Sequence, residues 1–76
     1  MSIEIKRGYY PNGQLNWEWN CKNGEFDGLC QWWYPNGQLE AEKNYENGER
    51  HGLERGWYPD GQIKWEYNFE NGKLIK

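Results

Sequence analysis

Apolar and polar residues alternate along much of this chain. The odd positions Leu15, Trp17, Trp19 and Cys21 are apolar, and the even positions Gln14, Asn16, Glu18 and Asn20 are polar. The pattern returns at Leu39, Ala41, Lys43 and Tyr45, and again at Ile63, Trp65, Tyr67 and Phe69, with Gln, Glu, Asn and Lys between them. A period of two over three segments predicts strands with one face buried. The intervening segments are mixed, with odd positions Ile3, Ile5, Arg7, Tyr9, then Asp27, Leu29, Gln31, Trp33, then His51, Leu53, Arg55, Trp57. Helix is disfavoured because Gly or Pro interrupts every few residues.

The alternation belongs to a repeat. Tyr10-Pro11-Asn12-Gly13-Gln14-Leu15 recurs at Tyr34–Leu39 and, as Tyr-Pro-Asp-Gly-Gln-Ile, at Tyr58–Ile63, a step of 24 residues each time. Asn23-Gly24, Asn47-Gly48 and Asn71-Gly72 keep the same step, as do Gly28-Leu29 and Gly52-Leu53. The 76 residues therefore read as one domain, with a half repeat at 1–9 and repeats at 10–33, 34–57 and 58–76. Each repeat holds two turn signals. Tyr-Pro-Asn-Gly suits a type I turn with Gly13, Gly37 or Gly61 in the left-handed region, closing a hairpin with a bulge. Asn-Gly, with Gly24, Gly48 or Gly72, is a hairpin signal in its own right. Strand-length segments between the turns predict an all-β fold, an antiparallel meander of six or seven strands in a single elongated, twisted sheet.

Residues can then be placed on faces. Closure at the Pro turns sets Tyr9 opposite Leu15, Trp33 opposite Leu39 and Trp57 opposite Ile63. Continuing without interruption puts Arg7 opposite Trp17 and Arg55 opposite Trp65. All odd positions share one face, provided that the Asn-Gly loops carry an extra residue, such as a bulge at Asp27-Gly28 or His51-Gly52. The expected partner-binding or dimer face is then Arg7, Trp17, Trp19, Trp33, Arg55, Trp57, Trp65 and Tyr67, with cation–π contacts from the arginines. Tyr10, Tyr34 and Tyr58 fall on the other face with Trp32, packing over Gly8, Gly56 and the turns.

Composition sharpens this picture. Leu, Ile, Val and Phe make up only about one residue in seven, below the roughly one in five that usually marks disorder. Yet 18% of the chain is aromatic, with six Trp and six Tyr, and one ring buries about 150–250 Å². The chain is expected to fold on rings. A single sheet leaves its apolar face open unless the sheet curls, two copies stack, or another molecule docks. The net charge of −3 disfavours phosphate-driven nucleic-acid binding. No membrane-spanning run or signal peptide is visible, so the expectation is a cytoplasmic protein.

Chemistry-bearing residues are few. His51 stands beside Gly52 in a turn without converging ligands, so no metal or other cofactor is expected. Cys21 and Cys30 are expected on opposite faces as free thiols. Ser2 is the only Ser and Thr is absent, so no nucleophile–base pair is visible and catalysis is not expected. Glu18, Glu42 and Glu66 recur at the repeat step and read as a solvated ladder.

The elements Tyr10, Gly13, Leu15, Asn23, Gly24 and Gly28, with their copies 24 and 48 positions on, resemble the MORN repeat, in particular the bacterial variant of YwqK-type antitoxins. The likeness spans residues 8 to 73, and the third counterpart of Gly28 is Lys76. It implies strings of β-hairpins, with roles in scaffolding, dimerisation or lipid association, and, for the antitoxins, neutralisation of a toxin. The expected function is a non-catalytic protein–protein interaction module, its acidic balance suiting a basic toxin. A self-associating homodimer and a carbohydrate- or phospholipid-headgroup-binding module are the alternatives.

Overall fold

The computed structural model describes residues 3–75. Seven strands, β1 (Ile3–Tyr9), β2 (Leu15–Lys22), β3 (Glu25–Trp33), β4 (Leu39–Glu46), β5 (Glu49–Trp57), β6 (Ile63–Glu70) and β7 (Lys73–Leu74), form one antiparallel sheet in chain order. The layer measures 34 × 31 × 9 Å, a single sheet's thickness, against the roughly 10 Å that separates two stacked sheets.

Both turn types form as their residues dictate. Gly13 N–H donates to Tyr10 O at 2.9 Å and Tyr10 N–H to Gln14 O at 2.8 Å, with Gly13 at φ 90°, and the pattern repeats at Tyr34 and Tyr58. The Asn12 side chain accepts from Gln14 N–H at 2.9 Å, locking the loop. Asn23 and Gly24 both take positive φ, 51° and 82°, the requirement of a two-residue type I′ turn. Gly37→Ala is expected to cost about 1–2 kcal/mol, because a Cβ at φ 90° meets the backbone of its own residue. Chemical denaturation checks this, and an unchanged midpoint would show that the loop relaxes freely.

The register departs from the sequence expectation at one place in each Pro hairpin. Tyr9 pairs with Leu15, but Gly8 pairs with Trp17, leaving Asn16 as an extra residue. Trp33–Leu39 followed by Trp32–Ala41, and Trp57–Ile63 followed by Gly56–Trp65, repeat the bulge. One extra residue reverses parity for the rest of the pair. Arg7 therefore pairs with Glu18 and Arg55 with Glu66, not with Trp17 and Trp65.

The Asn-Gly end also differs in part. Its loops are plain two-residue turns, with Lys22 paired to Glu25. The bulge does lie at Asp27–Gly28 and His51–Gly52, where Gly28 and Gly52 have φ 98° and 104°. Between the pairs Trp19–Cys30 and Cys21–Phe26, three residues of β3 oppose Asn20 alone. Two extra residues preserve parity, so both bulges together set the faces. The Asn20 amide spans the larger one, donating to Leu29 O at 2.6 Å, and Asn44 does the same to Leu53 O at 2.9 Å.

Candidate functional site

The bulges gather one face from odd positions of β2, β4 and β6 and even positions of β3 and β5. Trp17 and Trp19, two apart on β2, stack with ring centroids 3.9 Å apart. Trp19 meets Phe26 edge-on at 5.3 Å and Trp32 at 6.3 Å. Phe26 continues to Tyr45 at 5.0 Å. Further along, Trp65 stacks on Tyr67 at 5.8 Å. Cys21, Cys30 and Phe69 are the buried apolar residues at its base. The other rings stay half-exposed or exposed, because no second layer covers them.

Of the expected face, Trp17, Trp19, Trp65 and Tyr67 lie together here. Trp33 and Trp57 do not. Trp32 touches Trp19, so Trp33 beside it on β3 points the other way, and Trp57 lies under the Arg55 guanidinium at 5.6 Å on the opposite face. Arg7 and Arg55 are on that face too, where Arg7 Nε meets Glu18 at 2.5 Å and Arg55 Nη2 meets Glu42 at 2.6 Å. The Glu18, Glu42 and Glu66 ladder is thus an ion-paired row rather than a purely solvated one. Trp32 and Cys30 move to the aromatic face, both through the parity change at the Pro hairpins.

The tyrosines are placed differently as well. Tyr10 Oη donates to Trp33 O at 2.5 Å and Tyr34 Oη to Trp57 O at 2.7 Å, tying each Pro turn to the next. Gly8 and Gly56 are covered instead by Trp17 and Trp65: a Cβ there would stand 2.2 and 2.4 Å from the indoles. His51 has a local part. Its Nδ1 accepts from Asn71 N–H at 3.4 Å, as Asp27 Oδ2 accepts from Asn47 N–H at 3.0 Å, each bracing the next Asn-Gly turn.

Sequence reasoning missed the charged centre of the face. Glu54, 3% exposed, lies between Lys43 and Tyr67 across the strands. Arg50 Nε stands 3.3 Å from its Oε2, an ion pair without hydrogen-bond alignment. Arg50 also covers Phe69 at 5.0 Å, and Lys43 Nζ covers Trp32 at 5.5 Å. Lys43, Arg50, Glu54 and Phe69, with Trp65, Tyr67 and Leu74, line an open cleft of about 340 Å³. Burial, then the neighbouring Glu54 charge, push the Tyr45 phenol upward, so it stays neutral. Burial pushes the Cys30 thiol up as well, which makes it a poor nucleophile. The signal for this centre was Glu54 itself, which breaks the apolar sequence at the position of Cys30 one repeat earlier. Among the described residues, no group of three metal-capable side chains converges.

The arrangement offers what binding needs: aromatic platforms, two cations and one enclosed carboxylate on one face. No curated protein and no solved structure compared with the chain matches it. Residues 26–47 and 50–71 each match the MORN repeat variant, together more than half of the chain. MORN repeats are non-catalytic modules of interaction and binding. In this sheet each matched segment supplies one hairpin around a Tyr-Pro turn, β3–β4 around Tyr34-Pro35 and β5–β6 around Tyr58-Pro59, and the chain belongs to the MORN repeat variant family.

Proposed function

We propose that this chain is a protein-interaction module that docks a partner protein on its aromatic face. The observation that carries the reading is a layer 9 Å thick with Trp17, Trp19, Phe26, Trp32, Trp65 and Tyr67 on one side and no second layer over them. Large exposed apolar patches rimmed by polar groups are interaction sites, and Trp, Tyr and Arg dominate binding hot spots. Charge narrows the partner. Register puts Lys6 beside Trp19 and Lys43 and Arg50 beside Glu54 and Tyr45 on the aromatic face. Glu18, Glu42 and Glu66 lie on the other. The partner surface is therefore largely apolar and carries carboxylates, rather than basic groups, to meet Lys6, Lys43 and Arg50.

The resemblance to YwqK-type antitoxins supports reading that partner as a toxin held inactive in a bacterial cytoplasm. Two buried free thiols, Cys21 and Cys30, suit a reducing compartment. The test is co-expression with the product of the adjacent reading frame. The wild-type chain is expected to co-purify in fixed stoichiometry and to relieve toxicity. Tyr67→Ala should weaken the complex about tenfold or more, and Lys22→Ala, on the opposite face, should not. A complex that survives Tyr67→Ala and Trp65→Ala unchanged would move the site off this face.

A further inference from the structure

Contacts made in the first two repeats stop in the third. Tyr10 and Tyr34 each donate to a backbone carbonyl 23 residues on, while Tyr58 Oη has no hydrogen-bond partner among the described residues. Asn20 and Asn44 donate to Leu29 O and Leu53 O, while the Asn68 amide has no such acceptor among them. On the polar face, the cross-strand row reads Arg7, Glu18, Gln31, Glu42, Arg55, Glu66. Arg55 stands between two carboxylates, at 2.6 Å from Glu42 and 4.0 Å from Glu66. The row ends in a cation at one sheet edge and an anion at the other.

The backbone shows the same open ends. β7 pairs with Phe69 and Glu70 and reaches Asn68 O through Ile75 N–H, so Ile63–Tyr67 of β6 is paired on the β5 side alone. β1 is paired on the β2 side alone. Ile5, Arg7 and Tyr9 stand one repeat before Leu29, Gln31 and Trp33, the residues that fill the corresponding places beside β2.

We propose that the two edges join: Ile5–Tyr9 of a second copy adds antiparallel along Ile63–Tyr67 of the first. The register copies the β2–β3 pairing. Gly8 of the second copy lies opposite Trp65, its Arg7 opposite Glu66 and its Lys6 opposite Tyr67. Tyr58 Oη then donates to Tyr9 O of the second copy, and the Asn68 amide to its Ile5 O. The charge row continues unbroken across the junction. Ile3 of the second copy falls on the place held by Ile75, so the incoming strand joins the sheet from Ile5 onward. Ile5, Tyr9, Tyr58 and Ile63 are exposed at these edges, at 53, 60, 47 and 53%, and the junction covers them. An unpaired strand edge is a template for a further strand, and the charges on these two edges, Arg7 on one and Glu66 on the other, are opposite in sign. Because the two edges differ, each added copy presents a fresh one, and growth is head to tail. The aromatic face stays open, so this association and the docking proposed above are tested apart.

Sedimentation velocity of the 76-residue chain from micromolar to millimolar concentration is the test. The mass is expected to rise with concentration past a dimer and to fall with added salt. Arg7→Glu and Glu66→Arg should each weaken association about tenfold. Mixing these two variants, or combining both changes in one chain, should restore it, which a folding defect would not permit. A constant monomer mass, a mass that stops at a dimer, or growth indifferent to the charge reversals would overturn the proposal.

Discussion

Trp19→Ala is expected to produce a large loss of stability, about 3 kcal/mol or more, because it removes the ring through which the first half of the face is connected. Trp19 touches Trp17, Phe26 and Trp32, on its own strand and on β3, and no second layer can close over the gap. A domain of this length is stable by about 4–11 kcal/mol, so the change removes a large share. The expected fall in melting temperature is roughly 12–24 °C. One term opposes the loss: Trp19 Nε1 is buried without a hydrogen-bond partner, and deleting an unsatisfied donor recovers part of its desolvation. Trp19→Phe separates the two, since it keeps most of the ring and drops the N–H; its cost should be about 1 kcal/mol or less. Thermal and chemical denaturation followed by circular dichroism measure both. A Trp19→Ala cost below that of Trp19→Phe would mean that the stack contributes little.

Gly56→Ala is expected to cost about 2–3 kcal/mol although Ala is the better strand former, because the new methyl takes the place of the Trp65 indole. A Cβ on Gly56 would stand 2.4 Å from Trp65 Cε2 and 2.7 Å from its Nε1, so the indole must swing away and its stack on Tyr67 goes with it. The clash is with one side chain, which gives a sharp control. In a Trp65→Ala background, Gly56→Ala should be nearly neutral, and the coupling between the two changes should account for most of the single-variant cost. Additive effects would show that the glycine is needed for its backbone instead. The same reasoning applies to Gly8 under Trp17, at 2.2 Å.

These two glycines also mark where sequence reasoning stopped. The repeat, the turns at Pro11 and Asn23 and their copies, and the strands between them are local features. A Pro, an Asn or a Gly restricts its own φ and its neighbours' whatever the rest of the chain does. Tyr9 opposite Leu15 follows from turn length alone. One residue further, the pairing slips because Asn16, Glu40 and Lys64 are left out of the ladder, and nothing in an Asn, a Glu or a Lys announces a bulge. The slip divides the expected site, leaving Trp17, Trp19, Trp65 and Tyr67 in place and sending Arg7, Trp33, Arg55 and Trp57 to the other side. A bulky ring facing a glycine across the strands was the available sign, legible only once the two were known to be partners.

By itself the sequence determined that this is an all-β meander of 24-residue hairpins, because strand period and turn chemistry are written within a few residues of where they act. Only the tertiary structure decided which rings share a face, that Glu54 is enclosed among Lys43, Arg50 and the aromatics, and that the arginines belong to an ion-paired row on the far side. Side chains in a strand alternate with a period of two, so a single unpaired residue reassigns all that follow it, and the pairing that reveals the reassignment exists only between strands.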